Sequence, residues 1–324
     1  MTYIDIFNGD ADGICALTQL HNAHPRESKL VTGVKRNIQL VDTVNFKAHD
    51  QITILDISLD KNIKGVRNAL AAEAQVFYVD HHYAGTIPKH KNLTTLIDTS
   101  SNTCTSLLIN QHLKGQFIDW AIVGAFGDNL ITIANDLGKQ SGLSAHQLAL
   151  LEKLGNYINY NGYGSAIEDL HFHPETLFNH TSKFSSPFDF IQNDRETFEI
   201  LEQGFRDDMA LANDVKSHFK NDSVRVFILP STTWARRVSG VFSNNLANEM
   251  PFSAHAVLTE NNTQNGYVVS VRAPLNKKIG ADELCREFPT GGGRKAAAGI
   301  NNLPAAQLPF FASRFSEFFS TLNR

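Results

Sequence analysis

Three short apolar runs in the first eighty residues each lead into aspartate. Tyr3-Ile4-Asp5-Ile6-Phe7 precedes Asn8-Gly9-Asp10-Ala11-Asp12-Gly13, Ile52-Thr53-Ile54-Leu55 precedes Asp56, and Val76-Phe77-Tyr78-Val79 precedes Asp80-His81-His82. Such runs, rich in β-branched and aromatic residues, predict strands. Residues 13–22, 61–74 and 103–113 instead space their apolar positions helically. The alternation predicts βαβ units and a parallel sheet. Residues 120–137 predict one buried helix carrying Asp128 near a glycine, and 144–159 and 195–219 predict amphipathic helices. Between these two, residues 161–188 are rich in Gly, Ser, His, Asn and Pro, the composition of an irregular connection.

A second strand-rich pattern begins at 224–229 and continues through 254–258 and 267–272. The Asn-Asn-Thr-Gln-Asn-Gly segment at 261–266 reads as a hairpin turn, so a mixed or antiparallel sheet is expected. Phe310, Phe311, Phe315, Phe318 and Phe319 recur at helical spacing and predict a helix packed on that sheet. The expected fold class is α/β: an N-terminal parallel-sheet domain over 1–190, a helical linker over 191–222, and a smaller mixed-sheet α/β domain over 223–324. No internal repeat or low-complexity segment is present.

Composition changes this picture only in part. Hydrophobic residues make up 42% and charged residues 19% of the 324, as in a globular protein. No apolar stretch approaches the roughly 20 residues that span a bilayer, and Asp5, Asp10 and Asp12 stand where a secretory signal carries Lys or Arg. A cytoplasmic protein with no membrane partner is expected. Cys15, Cys104 and Cys285 are odd in number and far apart, which predicts buried thiols and no disulfide framework. The net charge of −4 conceals an asymmetry: from residue 223 onward there are 11 Lys and Arg against 6 Asp and Glu. An acidic first lobe suits cations, and a basic second lobe suits phosphate.

The strand-end aspartates carry the chemistry. Ligands of an open parallel sheet bind outside the carboxyl ends of its strands, and neighbouring strands lie about 4.8 Å apart. Carboxylates leaving three adjacent ends can therefore meet around shared cations. Asp10 and Asp12 sit two apart in a tight turn that aims them at different ions, and Gly13 permits the backbone angle that turn needs. Carboxylates with imidazole suit Mn2+ or Mg2+ better than the thiolate sites that select zinc. Taken singly, a strand-end aspartate is more often a cap or turn residue, as Asp42, Asp50 and Asp60 are expected to be. His171 and His173 read as surface residues, and Asp128 is preferred to Asp119 because it adjoins the glycine.

The ordered set resembles the DHH phosphoesterase superfamily in its branch with a C-terminal DHHA1 domain, close to the nanoRNases and oligoribonucleases. The first lobe carries Asp10-Ala11-Asp12-Gly13, Asp56, Asp80-His81-His82 and Gly127-Asp128. The second carries Ser270-Val271-Arg272 and Gly291-Gly292-Gly293-Arg294-Lys295-Ala296-Ala297-Ala298-Gly299. The resemblance implies two Mn2+ ions, with Mg2+ or Co2+ as alternatives, bridged by Asp56. It implies Asp10 on one ion, Asp12, His81 and Asp128 on the other, Asp80 coordinating or orienting, and His82 directed at the scissile phosphate. Arg272, Gly291, Gly292, Gly293 and Arg294 would bind substrate. Arg236 and Arg237 are further candidates for a phosphate path, while Lys277 and Lys278 read as charged loop tips.

The chain departs from the family at two positions. Asn8 stands where many members have His or Asp, and can coordinate only through an amide oxygen. Arg294 stands where the glycine motif usually continues with His. Its planar fork could hold a terminal phosphate or guanine O6 and N7. The expected function is hydrolysis of short di- or oligoribonucleotides to mononucleotides, with selectivity for pGpG one form of it. The alternatives are a phosphatase of 3′-phosphoadenosine phosphate, a cyclic-dinucleotide phosphodiesterase, and a non-catalytic nucleotide-binding regulator. A short RNA or dinucleotide substrate is expected, long nucleic acid is not, and a homodimer is left open.

Overall fold

The computed structural model describes residues 1–261, 263 and 265–322. The chain divides into two compact units, Met1–Gly204 and Phe205–Arg324. The division falls within the helix Arg195–Asn213.

The first unit is built on β1 (Tyr3–Phe7), β2 (Lys29–Val31), β3 (Gln51–Leu55), β4 (Gln75–Asp80) and β5 (Leu93–Ile97). These form one parallel sheet in the order β2-β1-β3-β4-β5. Its helices are α1 (Ala11–Ala23), α2 (Leu59–Ala71), α3 (Thr105–His112), α4 (Ile118–Gly127), α5 (Ile131–Gln140), α6 (Ala145–Gly162), α7 (Pro174–Thr181), α8 (Pro187–Asn193) and the start of α9 (Arg195–Asn213). On one face of the sheet Ile4, Ile6, Ile52, Ile54, Val76 and Tyr78 pack with Val66, Ala69 and Leu70 of α2. The strand order reverses between β1 and β3, and in such sheets the crevice at the reversal is where ligands bind. Register brings Phe7, Leu55 and Val79 into one row, so Asn8, Asp56 and Asp80 all leave the same edge.

The second unit contains β6 (Phe219–Lys220), β7 (Val224–Leu229), α10 (Thr233–Glu249), β8 (Ala254–Asn261), β9 (Gly266–Arg272), α11 (Ala281–Arg286), β10 (Gly291–Gly293), β11 (Ala297–Pro304) and α12 (Leu308–Leu322). Its six-stranded sheet runs β10-β11-β9-β8-β7-β6, with β7 and β8 parallel and the other pairs antiparallel. Phe311, Phe315 and Phe319 of α12 are fully buried against this sheet's core, as their spacing predicts, while Phe310 is exposed. The expected mixed-sheet α/β architecture is observed.

Four expectations need correction. Residues 120–137 are two helices, because α4 ends in a Schellman motif. Asn129 takes the left-handed conformation (φ 60°), its N–H donates to Phe126 O at 3.0 Å, and the Leu130 N–H donates to Ala125 O at 2.9 Å. The stretch 161–188 is not irregular throughout: Pro174 and Pro187 occupy the first turns of α7 and α8, where a missing N–H costs nothing. The helix expected over 195–219 stops at Asn213, and Phe219 already pairs in the sheet. His171 is only partly exposed, bonded to the Tyr160 hydroxyl at 2.8 Å, and His173 caps α7. Asn262 and Gln264 of the expected hairpin turn lie outside the described residues, although β8 and β9 pair antiparallel on either side. All three cysteines are buried and free. Among the described residues no helix is long and apolar enough to cross a membrane.

Candidate metal centre

The loop after β1 closes directly into α1. Asp10 caps that helix, its Oδ1 accepting from Gly13 N at 3.1 Å. Gly13 is there for close approach and not for an unusual backbone angle, since a Cβ on it would lie 2.2 Å from the Asn8 carbonyl oxygen. Asp12, in the first turn of the helix, points into the first unit and accepts from two backbone N–H groups at the start of α3, Thr105 to Oδ2 and Ser106 to Oδ1, both at 2.7 Å. Charge-assisted bonds of this kind fix a carboxylate in place.

β3 delivers Asp56 with a positive φ of 59°, a conformation that few residues other than Gly, Asn and Asp tolerate. Its Oδ1 accepts from Thr105 Oγ1 at 3.1 Å and lies 3.2 Å from His81 Nε2. β4 delivers Asp80, and the two histidines follow. His81 Nδ1 is 3.1 Å from the Thr103 carbonyl, which can only accept, so the proton is assigned to Nδ1. Nε2 then presents a lone pair towards Asp56 Oδ1 and towards Asp12 Oδ2, 3.8 Å away. Asp128, at the C-terminus of α4, has Oδ2 3.9 Å from His81 Nδ1. His82 Nδ1 bonds Asp80 Oδ1 at 2.7 Å. The His82 side chain is 32% exposed against 2% for His81, so it is the imidazole that meets solvent.

These groups are crowded with negative charge. Asp10, Asp12, Asp56 and Asp80 are all nearly inaccessible. Burial, then the charges of Asp12, Asp10, Asp80 and Asp128, pushes the Asp56 carboxyl well above the ordinary carboxylate range. Asp10 shows the opposite balance: burial pushes it up, but the Lys35 ammonium outweighs this and brings it below its ordinary value. Lys35 Nζ lies 2.5 Å from Asp10 Oδ2.

The donor set fits a hard divalent cation. Asp56, His81 and His82 offer ligand atoms within 4.8 Å of one another. Asp80 Oδ2 and Asn8 Oδ1 are buried acceptors without a hydrogen-bond partner, which a cation nearby would satisfy. Carboxylate oxygens with imidazole nitrogens and no thiolate match Mn2+ or Mg2+ better than a thiolate-rich site would.

The remaining candidates lie in the second unit. Arg272, at the end of β9, donates from Nε to Asn244 Oδ1 at 2.7 Å and is braced against α10. Arg237 forms a largely buried ion pair with Asp208 at 2.7 Å, and Arg236 donates to Thr233 Oγ1 at 3.3 Å. Gly291, Gly292 and Gly293 form β10, and Arg294 begins the turn to β11, with its N–H on Ala297 O at 2.8 Å. Packing explains two of these glycines: a Cβ on Gly291 would fall 1.7 Å from Cys285 O, and one on Gly293 2.5 Å from Ala298 Cα. A Cβ on Gly292 would meet nothing within 4 Å. Sequence reasoning missed Lys35, Asn159, Thr103, Thr105 and Ser106. Only the helix N-terminus at Thr105 carried a local signal, as a place where N–H groups await an acceptor.

No family model matches the chain, and no curated protein matches it in sequence. Solved structures do. An exonuclease RecJ bound to manganese aligns over 98% of this chain and 90% of its own, with a TM-score of 0.62 at 15% identity. A pGpG-specific phosphodiesterase, PggH from Vibrio cholerae, aligns over 100% of this chain and 99% of its own, with a TM-score of 0.57 at 12% identity. The chain has the DHH/DHHA1 fold. RecJ from Thermus thermophilus in complex with Mn2+ also matches (TM-score 0.56, 14% identity), with this chain spanning 52% of its length.

Proposed function

We propose that this chain is a divalent-cation-dependent phosphoesterase that hydrolyses short ribonucleotides, dinucleotides foremost, to mononucleotides. The observation that carries the reading is the convergence, at the reversal of the parallel sheet, of Asp12, Asp56, Asp80 and His81 around unpartnered acceptors, with His82 at the accessible edge. Asp12, Asp56 and His81 would hold the cation, with Asp80 beside them. When bound it polarises a phosphate oxygen and lowers the pKa of water.

The residues' own work is to fix and move protons. The Thr103 carbonyl keeps the His81 proton on Nδ1, so Nε2 remains a donor of electrons. Asp80 holds the proton on His82 Nδ1 and leaves Nε2 to exchange a proton at a phosphate oxygen. Ser106 and Thr105 keep Asp12 oriented. In its two-ion form the reading also asks Asp10 and Asn8 to hold a cation.

The likeness to PggH over nearly the whole of both chains supports a dinucleotide, and pGpG in particular, as the first substrate to try. Arg294, exposed beside the glycine strand, is proposed as the residue that reads one end of it. The test is purified protein with Mn2+ against pGpG, pApA, longer RNAs, 3′-phosphoadenosine phosphate and cyclic dinucleotides, with Asp56→Asn as control. Turnover of dinucleotides that EDTA and Asp56→Asn both abolish is the expected result. Equal cleavage of pApA and pGpG would remove the guanine preference, and metal-replete inactivity on the whole panel would leave a nucleotide-binding regulator.

A further inference from the structure

Lys35 lies in the connection between β2 and β3, far in sequence from the aspartate motifs, yet its ammonium enters their cluster. Nζ donates to Asp10 Oδ2 at 2.5 Å and to Asn159 Oδ1 at 3.0 Å, and it lies 5.2 Å from the centre of the Tyr163 ring. Its backbone N–H donates to Gly162 O at 2.8 Å, so main chain and head group are both tied to the end of α6. Asn159 is buried there, and Gly162 admits Asp10 closely: a Cβ on it would lie 3.0 Å from Asp10 Cα. This is a constructed ammonium position, with a carboxylate, an amide oxygen and an aromatic face around one charge.

Both oxygens of Asp10 are therefore engaged, one by the Gly13 N–H and one by Lys35. Beside that engaged carboxylate stand the amide oxygen of Asn8, a neutral donor, and the charge of Asp128, which acts on Asp10 and Lys35 alike. The opposite holds around Asp56, where His81 Nε2 faces two carboxylates and Asp80 Oδ2 is a buried acceptor with no donor. We propose that the Lys35 ammonium stands in for a second divalent cation at Asp10, so that the centre takes one ion per chain, on the Asp12–Asp56–His81 side. The inference rests on the metal-dependent phosphoesterase reading. Lys35 is then a positioning residue: a fixed charge that orients Asp10, cannot be removed by a chelator, and offers no coordination position to water.

Metal stoichiometry tests this directly. Wild-type protein is equilibrated with Mn2+, freed of unbound ion, and examined by mass spectrometry of the metal content and by electron paramagnetic resonance. The expected result is one Mn2+ per chain with the hyperfine pattern of an isolated ion. Two ions per chain with an exchange-coupled signal would overturn the inference and leave the phosphoesterase reading standing. No bound Mn2+, with dinucleotide hydrolysis indifferent to EDTA, would overturn both. Lys35→Met should raise the content towards two, and Lys35→Arg should hold it at one. A folded Lys35→Met protein that still takes one ion would refute the role given to Lys35.

Discussion

At the scale of single residues, the centre is a problem of placing charge. Unit charges about 4 Å apart interact by about 4 kcal/mol at an effective dielectric near 20. An ammonium and a divalent ion sharing Asp10 Oδ2 would repel by about twice that, which is why Lys35 and a metal compete for the same carboxylate. Asp56 has no such competitor, and its left-handed backbone restricts what can replace it. Asp56→Asn keeps a side chain that tolerates φ of 59°, whereas Asp56→Ala adds backbone strain to the loss of charge. His82 gives the cleanest test of proton transfer, because it is partly exposed and its removal leaves the buried acids in place. His82→Ala should lower kcat on a dinucleotide by about 10²- to 10⁴-fold while Mn2+ content is unchanged. Loss of bound Mn2+ in that variant would make His82 a ligand instead.

Secondary-structure elements carry these side chains, and α4 is the element under most constraint. It is apolar on all sides and buried from Trp120 to Gly127. Three glycines allow its close packing: a Cβ on Gly124 would lie 2.2 Å from Ser106 Oγ, one on Gly127 2.3 Å from Ala11 Cβ, and one on Gly155 of α6 2.4 Å from Val123 O. Because α4 ends at Asp128, pushing α4 away from α6 also moves a carboxylate of the centre. Gly155→Ala should cost about 1–3 kcal/mol by overpacking and weaken Mn2+ binding, as read by urea unfolding and metal titration. Unchanged metal affinity in a destabilised variant would separate the packing from the site. β1, β3, β4, β7, β8, β9, α1 and the strand-end aspartates were legible in the sequence because each depends on a short local pattern, whereas β2, β5, β6, β10 and β11 were not read as strands. The break after α4 was not legible, because it depends on Asn129 adopting a left-handed conformation that the surrounding apolar run masks. Pro174 and Pro187 were ambiguous because a proline that starts a helix and one that prevents it look alike until the N-cap is known. Lys35 was illegible for another reason: it meets Asp10 and Asn159 only once the chain has folded, across 25 and 124 residues.

At the scale of the whole molecule, the two units have separate cores and are expected to respond separately to acid. His255 on β8 is fully buried, with Arg225 as its register partner on β7. Burial, then the Arg225 charge, pulls its pKa down to about 4. In the unfolded chain the same imidazole titrates near 6.5. Above about pH 6.5 it is neutral in both states, and its depressed pKa takes nothing from stability. As pH falls from about 6.5 to about 4, the unfolded chain binds a proton that the folded unit refuses, so the second unit loses stability through that window. The full loss, on the order of 3 kcal/mol, is reached at the folded pKa and does not grow below it. The chain has two tryptophans, Trp120 in the first unit and Trp234 in the second, so Trp120→Phe and Trp234→Phe proteins report on one unit each. Denaturant unfolding between pH 7 and 4 should show the Trp234 transition weakening more steeply than its His255→Phe counterpart, in which no ring nitrogen titrates. The Trp120 transition should be the same with and without His255. Parallel loss in both His255 backgrounds would assign the acid sensitivity to the carboxylates and remove His255 from the account.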